Sequence, residues 1–163
     1  MKKFFAYILL TLLLAQSTYT NASAQDSDTE QIEYLEDDSY LIISISDAAP
    51  DISGGIALYA TTTTKTKTKT VNCYNKDHEL MWYLQVKGTF TYGNGSAKCT
   101  NSVVTAKSYE SLWVLSDKKA SKSGNKATAS VTAKLYRTFL HLFSIKTVKE
   151  SVTLTCSSTG KFS

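Results

Sequence analysis

The chain has 163 residues, 42% of them hydrophobic and 20% charged, with a formal net charge of +4. That supports one packed domain and is too short for two once a leader is set aside. Two His residues and a single Arg, Arg137, leave little material for histidine-based catalysis or for aromatic–arginine nucleic-acid platforms.

The first residues read as an export signal. Lys2 and Lys3 precede an apolar run over 4–14, and Ala22-Ser23-Ala24 supplies the small side chains that a signal peptidase accepts. Cleavage is expected between Ala24 and Gln25, making 1–24 the signal peptide. The run is shorter than the about 20 apolar residues that cross a bilayer, so an anchor is the weaker reading. The mature product is expected to be secreted, extracellular or associated with the cell surface.

Charge then divides the chain. Residues 25–51 hold nine carboxylates and no Lys or Arg, whereas residues 52–163 hold sixteen basic residues against five acidic ones, a net of +11. Residues 25–55 therefore read as an acidic, mostly disordered leader or pro-segment ending at Pro50 and Gly54-Gly55. It acts either as a mask folded on the basic body or as a solvated tail. The apolar run 41–45 suits an edge strand or a short helix, and is too short for periodicity to choose.

Residues 56–163 read as one all-β domain, an antiparallel β-sandwich, immunoglobulin-like or similar. Strands are expected over 65–74, 80–92, 97–106, 112–115, 127–136 and 143–156. The strongest alternation puts Leu80, Trp82, Leu84, Val86, Phe90 and Tyr92 on one face, with Gly88 placed for a bulge or bend. Cys99 and Val103 lead the next strand inward. Ala129, Val131, Ala133 and Leu135 form a further inward set. Phe143 and Ile145 are out of phase with Val148, Val152 and Leu154, which predicts a bulge near Thr147. Turns are expected at 75–78, at 93–96, where Asn94-Gly95 tolerates positive φ, and at 121–125.

Three cysteines leave one unpaired if a disulfide forms outside the cytoplasm. Cys99 and Cys156 occupy inward positions and are the expected pair. Cys73 shares its face with Lys65, Lys67 and Lys69; a partly buried free thiol is expected there, with an exposed reactive thiol or an intermolecular disulfide as the alternative.

Several phrases carry a resemblance: Thr66-Lys-Thr-Lys-Thr70, Leu80-Met-Trp82, Gly88-Thr-Phe-Thr-Tyr92, Ala97-Lys-Cys-Thr100, Ser121-Lys-Ser-Gly-Asn125 and Val152-Thr-Leu-Thr-Cys156. Together they resemble a family of small secreted β-rich proteins from Gram-positive, clostridial-type bacteria. The resemblance covers the body and none of the leader. It implies a β-rich domain with one disulfide between Cys99 and Cys156, and brings no activity with it.

No nucleophile elbow, metal-ligand spacing or phosphate-binding glycine loop is present, so neither catalysis nor a cofactor or metal is expected. Binding is the expected class. Lys65, Lys67, Lys69, Lys87 and Lys134 are candidates for a positive surface that meets an anionic cell-wall polymer or lipid surface. Tyr83, Tyr109 and Tyr136 are candidates for stacking on a glycan, in which case the domain is a carbohydrate- or protein-binding module. A secreted toxin or bacteriocin-like product with a removable acidic segment is the third reading. Specific nucleic-acid binding is not expected, and nothing in the sequence indicates an oligomeric state.

Overall fold

The computed structural model describes residues 30–35, 37–48, 62–138 and 140–163; the expected signal segment, its expected Ala24–Gln25 junction, Pro50 and Gly54-Gly55 lie outside them. The regular elements among these residues are eight strands: β1 (Gln31–Tyr34), β2 (Tyr40–Asp47), β3 (Thr63–Tyr74), β4 (Leu80–Gly93), β5 (Ser96–Ser108), β6 (Trp113–Ser123), β7 (Lys126–Tyr136) and β8 (Ser144–Thr155). No helix among the described residues is long and apolar enough to cross a membrane. Two antiparallel sheets form, β1-β2-β3-β4-β5 and β6-β7-β8. The expected all-β sandwich is what the chain builds. Strands follow chain order in both sheets, unlike the interleaved order of immunoglobulin domains.

The inner face follows from period-two alternation. Trp82, Leu84, Val86 and Phe90 of β4 are fully buried, as their spacing predicts. Opposite them β7 presents Ala127, Ala129, Val131 and Ala133, with all three alanines at 0% exposure. Large residues on one sheet thus meet small ones on the other. A Cβ on Gly88 would lie 2.5 Å from the Phe90 ring and 2.9 Å from the Ala127 methyl. Gly88 is therefore required by the Phe90 ring folded over it and by Ala127 approaching from the other sheet. The register shift lies just beyond it, where Thr89 pairs with Asn101 and Phe90 with Cys99, leaving Thr100 as the extra residue in β5. That bulge reverses the phase of β5. Val103, expected inward, is 44% exposed, and Ala106 is buried instead.

The turns behave as their residues require. Asn94 and Gly95 take φ of 50° and 76° and join β4 to β5. Asn75 Oδ1 accepts from the amides of Asp77 and Glu79 at 3.0 and 2.9 Å, closing the β3–β4 loop. The third turn is tighter than expected, only Gly124 and Asn125. Strand β6 accordingly runs to Ser123 rather than stopping at residue 115. It bulges between Ser116 and Lys119, after which its core-facing ladder positions are Ala120 and Lys122. Lys118 Nζ donates to the Ala106 carbonyl at 2.7 Å, and Lys122 Nζ to the Thr100 carbonyl. Both acceptors belong to β5, the edge strand of the larger sheet, so these lysines close an edge that would otherwise be open to pairing.

The acidic stretch requires a correction. Residues 31–34 and 40–47 are strands of the larger sheet, and β2 pairs with β3 along its whole length. Of the two options for 41–45, the strand is realised, because Leu41 is carried into the core against Cys73. Domain packing therefore begins well before residue 56. At the other end of the chain, Phe162 bridges back to Cys156 and its ring meets Phe90 edge-on at 5.4 Å.

Two predictions follow from this packing. Gly88→Ala is expected to lower stability by about 1–3 kcal/mol through overpacking, read as a lower urea midpoint at unchanged slope. A chain starting at residue 56 loses the Leu41 contact and the Asp47 carboxylate beside buried Lys67. It is expected to lose at least about 3 kcal/mol against the chain starting at Gln25, and an equal midpoint for the two would refute the sheet role of β1 and β2.

Candidate functional site

The five candidate lysines do not form one surface. Lys65, Lys67 and Lys69 alternate in step with Val71 and Cys73, which are both 1% exposed, so their face is the inner one. Lys67 itself is 2% exposed. A buried ammonium needs a partner, and Asp47 Oδ1 supplies one at 3.1 Å, while Lys65 reaches the same oxygen at 3.9 Å. Burial also pushes the Lys69 ammonium below its ordinary range. Lys87 lies on the outer face of the larger sheet and Lys134 on the outer face of the smaller one.

A different set of cations does converge. In β7 the inward alanines and Val131 leave Lys126, Thr128, Ser130, Thr132 and Lys134 facing outward. Their direct cross-strand partners share that face. These are Ser123, Ser121, Lys119, Ser116 and Val114 from β6, and Thr155, Thr153, Ser151, Lys149 and Thr147 from β8. The ladder positions of this face thus carry Lys119, Lys126, Lys134 and Lys149 among hydroxyls, with no carboxylate. Asp117 in the β6 bulge and Glu150 of β8 stand beside it and line one hollow with Lys119 and Lys149.

At one end this face runs into an exposed apolar loop. Leu140, Leu142, Phe143 and Ile145 are 77%, 69%, 74% and 62% exposed. The expected irregularity in β8 falls at Ile145, two residues before Thr147. Leu135 pairs with Lys146 and Tyr136 with Ser144, and Ile145 is left over. The loop backbone is tied down nonetheless. The Arg137 amide donates to Phe143 O at 3.1 Å, the His141 amide to Thr138 O at 3.0 Å, and His141 Nε2 to Ser111 O at 3.1 Å. The His141 ring packs edge-on against Tyr136 at 4.9 Å. Four large apolar side chains are held in solvent by a fixed backbone, each forgoing part of the about 1.5–3 kcal/mol that burial would return.

Family models, curated proteins and solved structures offer no match to this chain. The residues alone carry the functional argument.

The candidate tyrosines separate. Tyr83 and Tyr109 lie 6.2 Å apart, with Lys107 Nζ 4.6 Å above the Tyr109 ring. Tyr136 belongs to the other sheet and is engaged with His141. The exposed loop was missed in sequence because its apolar residues look like strand material. Its alternation with His141 and Ser144 was the available signal.

The cysteines also sort differently from expectation. Cys73 is a free thiol buried fully rather than partly, and burial pushes it up to about 12. It shares the lysine face as expected, but that face is the core. Cys99 and Cys156 are buried with free thiols. Their amides hang from consecutive carbonyls of one turn, Cys99 N from Gly124 O at 2.8 Å and Cys156 N from Asn125 O at 3.0 Å. Burial raises both thiols, and for Cys156 the nearby Cys99 adds to the rise. Among the described residues no group of three or more His, Cys, Asp or Glu is placed to hold a metal ion.

Proposed function

We propose that this is a secreted, non-enzymatic protein that settles on an anionic lipid surface of a cell envelope. The observation that carries the reading is the exposed loop 140–145 at the end of a lysine face without carboxylate ladder positions. Apolar side chains dip below the headgroups while Lys134, Lys149 and Arg137 remain level with the phosphates, the division of labour that interfacial segments use. Tyr136 lies beside the loop, at the level where amphipathic rings favour the boundary. The positive surface expected from sequence is kept in this reading but moved. Lys134 stays, and Lys119, Lys126 and Lys149 replace the lysines of β3. Export is supported by Lys2-Lys3, the apolar run and the Ala22-Ser23-Ala24 exit.

In an oxidising compartment Cys99 and Cys156 form the disulfide of this reading. Their thiols lose two protons and two electrons to an extracellular small-molecule disulfide, which is reduced to two thiols. What supports the pairing is their attachment to one turn and the electrostatic influence of Cys99 on Cys156.

Sedimentation with vesicles tests the docking. Wild type is expected to bind phosphatidylglycerol vesicles more tightly than phosphatidylcholine ones. Leu142→Asp with Phe143→Asp is expected to weaken that partition at least tenfold at an unchanged unfolding midpoint. Lys134→Glu with Lys149→Glu is expected to weaken it at 0.05 M salt and to matter little at 0.5 M, where screening is short-ranged. Full binding by the Leu142/Phe143 variant would defeat the reading. Separately, peptide mapping of air-oxidised protein is expected to link Cys99 to Cys156. Iodoacetamide at pH 8 should leave Cys73 unmodified until urea is added, since its thiol is buried and protonated.

A further inference from the structure

Strands β1, β2 and β3 end this side of the larger sheet with the same residue type. Tyr34, Tyr40 and Tyr74 are successive register partners. Leu41 and Cys73 point into the core, so Tyr40 and Tyr74 point outward, and Tyr34 shares their side. The Tyr40 and Tyr74 rings stack at 5.3 Å with 13° between planes, and Tyr34 tilts against Tyr40 at 6.0 Å and 44°. One row further along, Ile32 and Ile42 are also partners. The β3–β4 loop folds His78 against this row, with the Tyr40 hydroxyl and His78 Nδ1 hydrogen-bonded at 2.7 Å.

The result is a cleft of about 430 Å³, with an apolar floor that includes Tyr34 and Ile32 and a polar rim of Asp38, Lys76 and His78. That volume lies within the range of small-ligand sites, roughly 300–1,000 Å³. Two features set it apart from ordinary cross-strand packing. Tyr34 and Ile32 are left 77% and 51% exposed, so the floor is uncovered. Asp38 and His78 both hold positive φ, 59° and 64°, a backbone conformation uncommon outside glycine.

We infer that this cleft binds a sugar ring, with the C–H face of a neutral pyranose on Tyr34 and its hydroxyls bonded to Asp38, Lys76 and His78. The rim offers a carboxylate acceptor and an ammonium donor together, which suits an uncharged polyhydroxyl ligand better than an ion of either sign. The apolar floor supplies the contact area, and the anchored ring of Tyr40 is held in place before the ligand arrives. The site is distinct from the docking loop and independent of the lipid reading. It also moves glycan recognition away from Tyr83, Tyr109 and Tyr136.

The experiment is calorimetric titration of the chain starting at Gln25, without lipid, with cellohexaose and with the hexamer of N-acetylglucosamine. Saturable binding of at least one is expected. Tyr34→Ala and Asp38→Asn should each weaken it at least tenfold, and Val103→Ala, exposed elsewhere on the same sheet, should leave it unchanged. Both cleft residues are exposed, so unfolding midpoints should not move. Absence of binding to both hexamers, or binding that survives both cleft substitutions, overturns the inference. Should neither hexamer bind while Tyr34→Ala weakens vesicle binding, the cleft belongs to the lipid-facing surface, and the sugar inference falls while the docking reading stands.

Discussion

The contact between Gly88 and Ala127 sets the spacing of the two sheets, and much of the molecule is arranged around it. With no Cβ on one side and a single methyl on the other, β4 and β7 approach closely enough for the Phe90 ring to lie over the gap. Trp82, further along β4, meets Trp113 of the other sheet at 6.1 Å. Ala129 and Ala133 are buried on the same face of β7. A core of this kind is specified by paired volumes, large against small, more than by total hydrophobicity.

Charge is used inside this frame in ways that its sum conceals. Lys118 and Lys122 are bound to carbonyls of the β5 edge, and Lys67 is buried beside Asp47. The acidic segment is thus a structural counterpart of the basic one. Asp47 meets Lys65 and Lys67, and Asp37 accepts from Lys146 at 2.6 Å, a bond that holds the Asp37 carboxyl below its ordinary range. Lys87, Lys98 and Lys107 lie on the outer face of the larger sheet, whereas Lys119, Lys126, Lys134 and Lys149 share the outer face of the smaller one, the face that adjoins the exposed apolar loop and so carries the proposed surface.

Much of the architecture was legible in the chain. The six strands expected after residue 56 all exist, because alternation in β4 and β7 is strict and because Asn94-Gly95 can hardly be anything but a hairpin turn. Errors arose where one inserted residue reversed a phase. Thr100 turned Val103 outward, and the bulge before Lys119 hid the second half of β6. The Lys-Thr alternation of β3 announced a strand without saying which face was covered. Polarity suggested solvent, whereas the pairing of β3 between β2 and β4 carried the lysines inward.

The candidate sites were less legible for a related reason. Nothing local links Tyr34, Tyr40 and Tyr74; only the order β1-β2-β3 makes them neighbours. Leu140, Leu142, Phe143 and Ile145 are apolar enough for a core, and exposure is a property of where the loop is tied, through Ser111 and Phe143 backbone oxygens. By itself the sequence determined what depends on near neighbours: strand periodicity, turn chemistry and the division of charge. Tertiary structure decided which side of each strand met the other sheet. That choice depends on register and on the Gly88–Ala127 approach between residues far apart in the chain, and it separates buried lysines from the surface ones able to meet a partner.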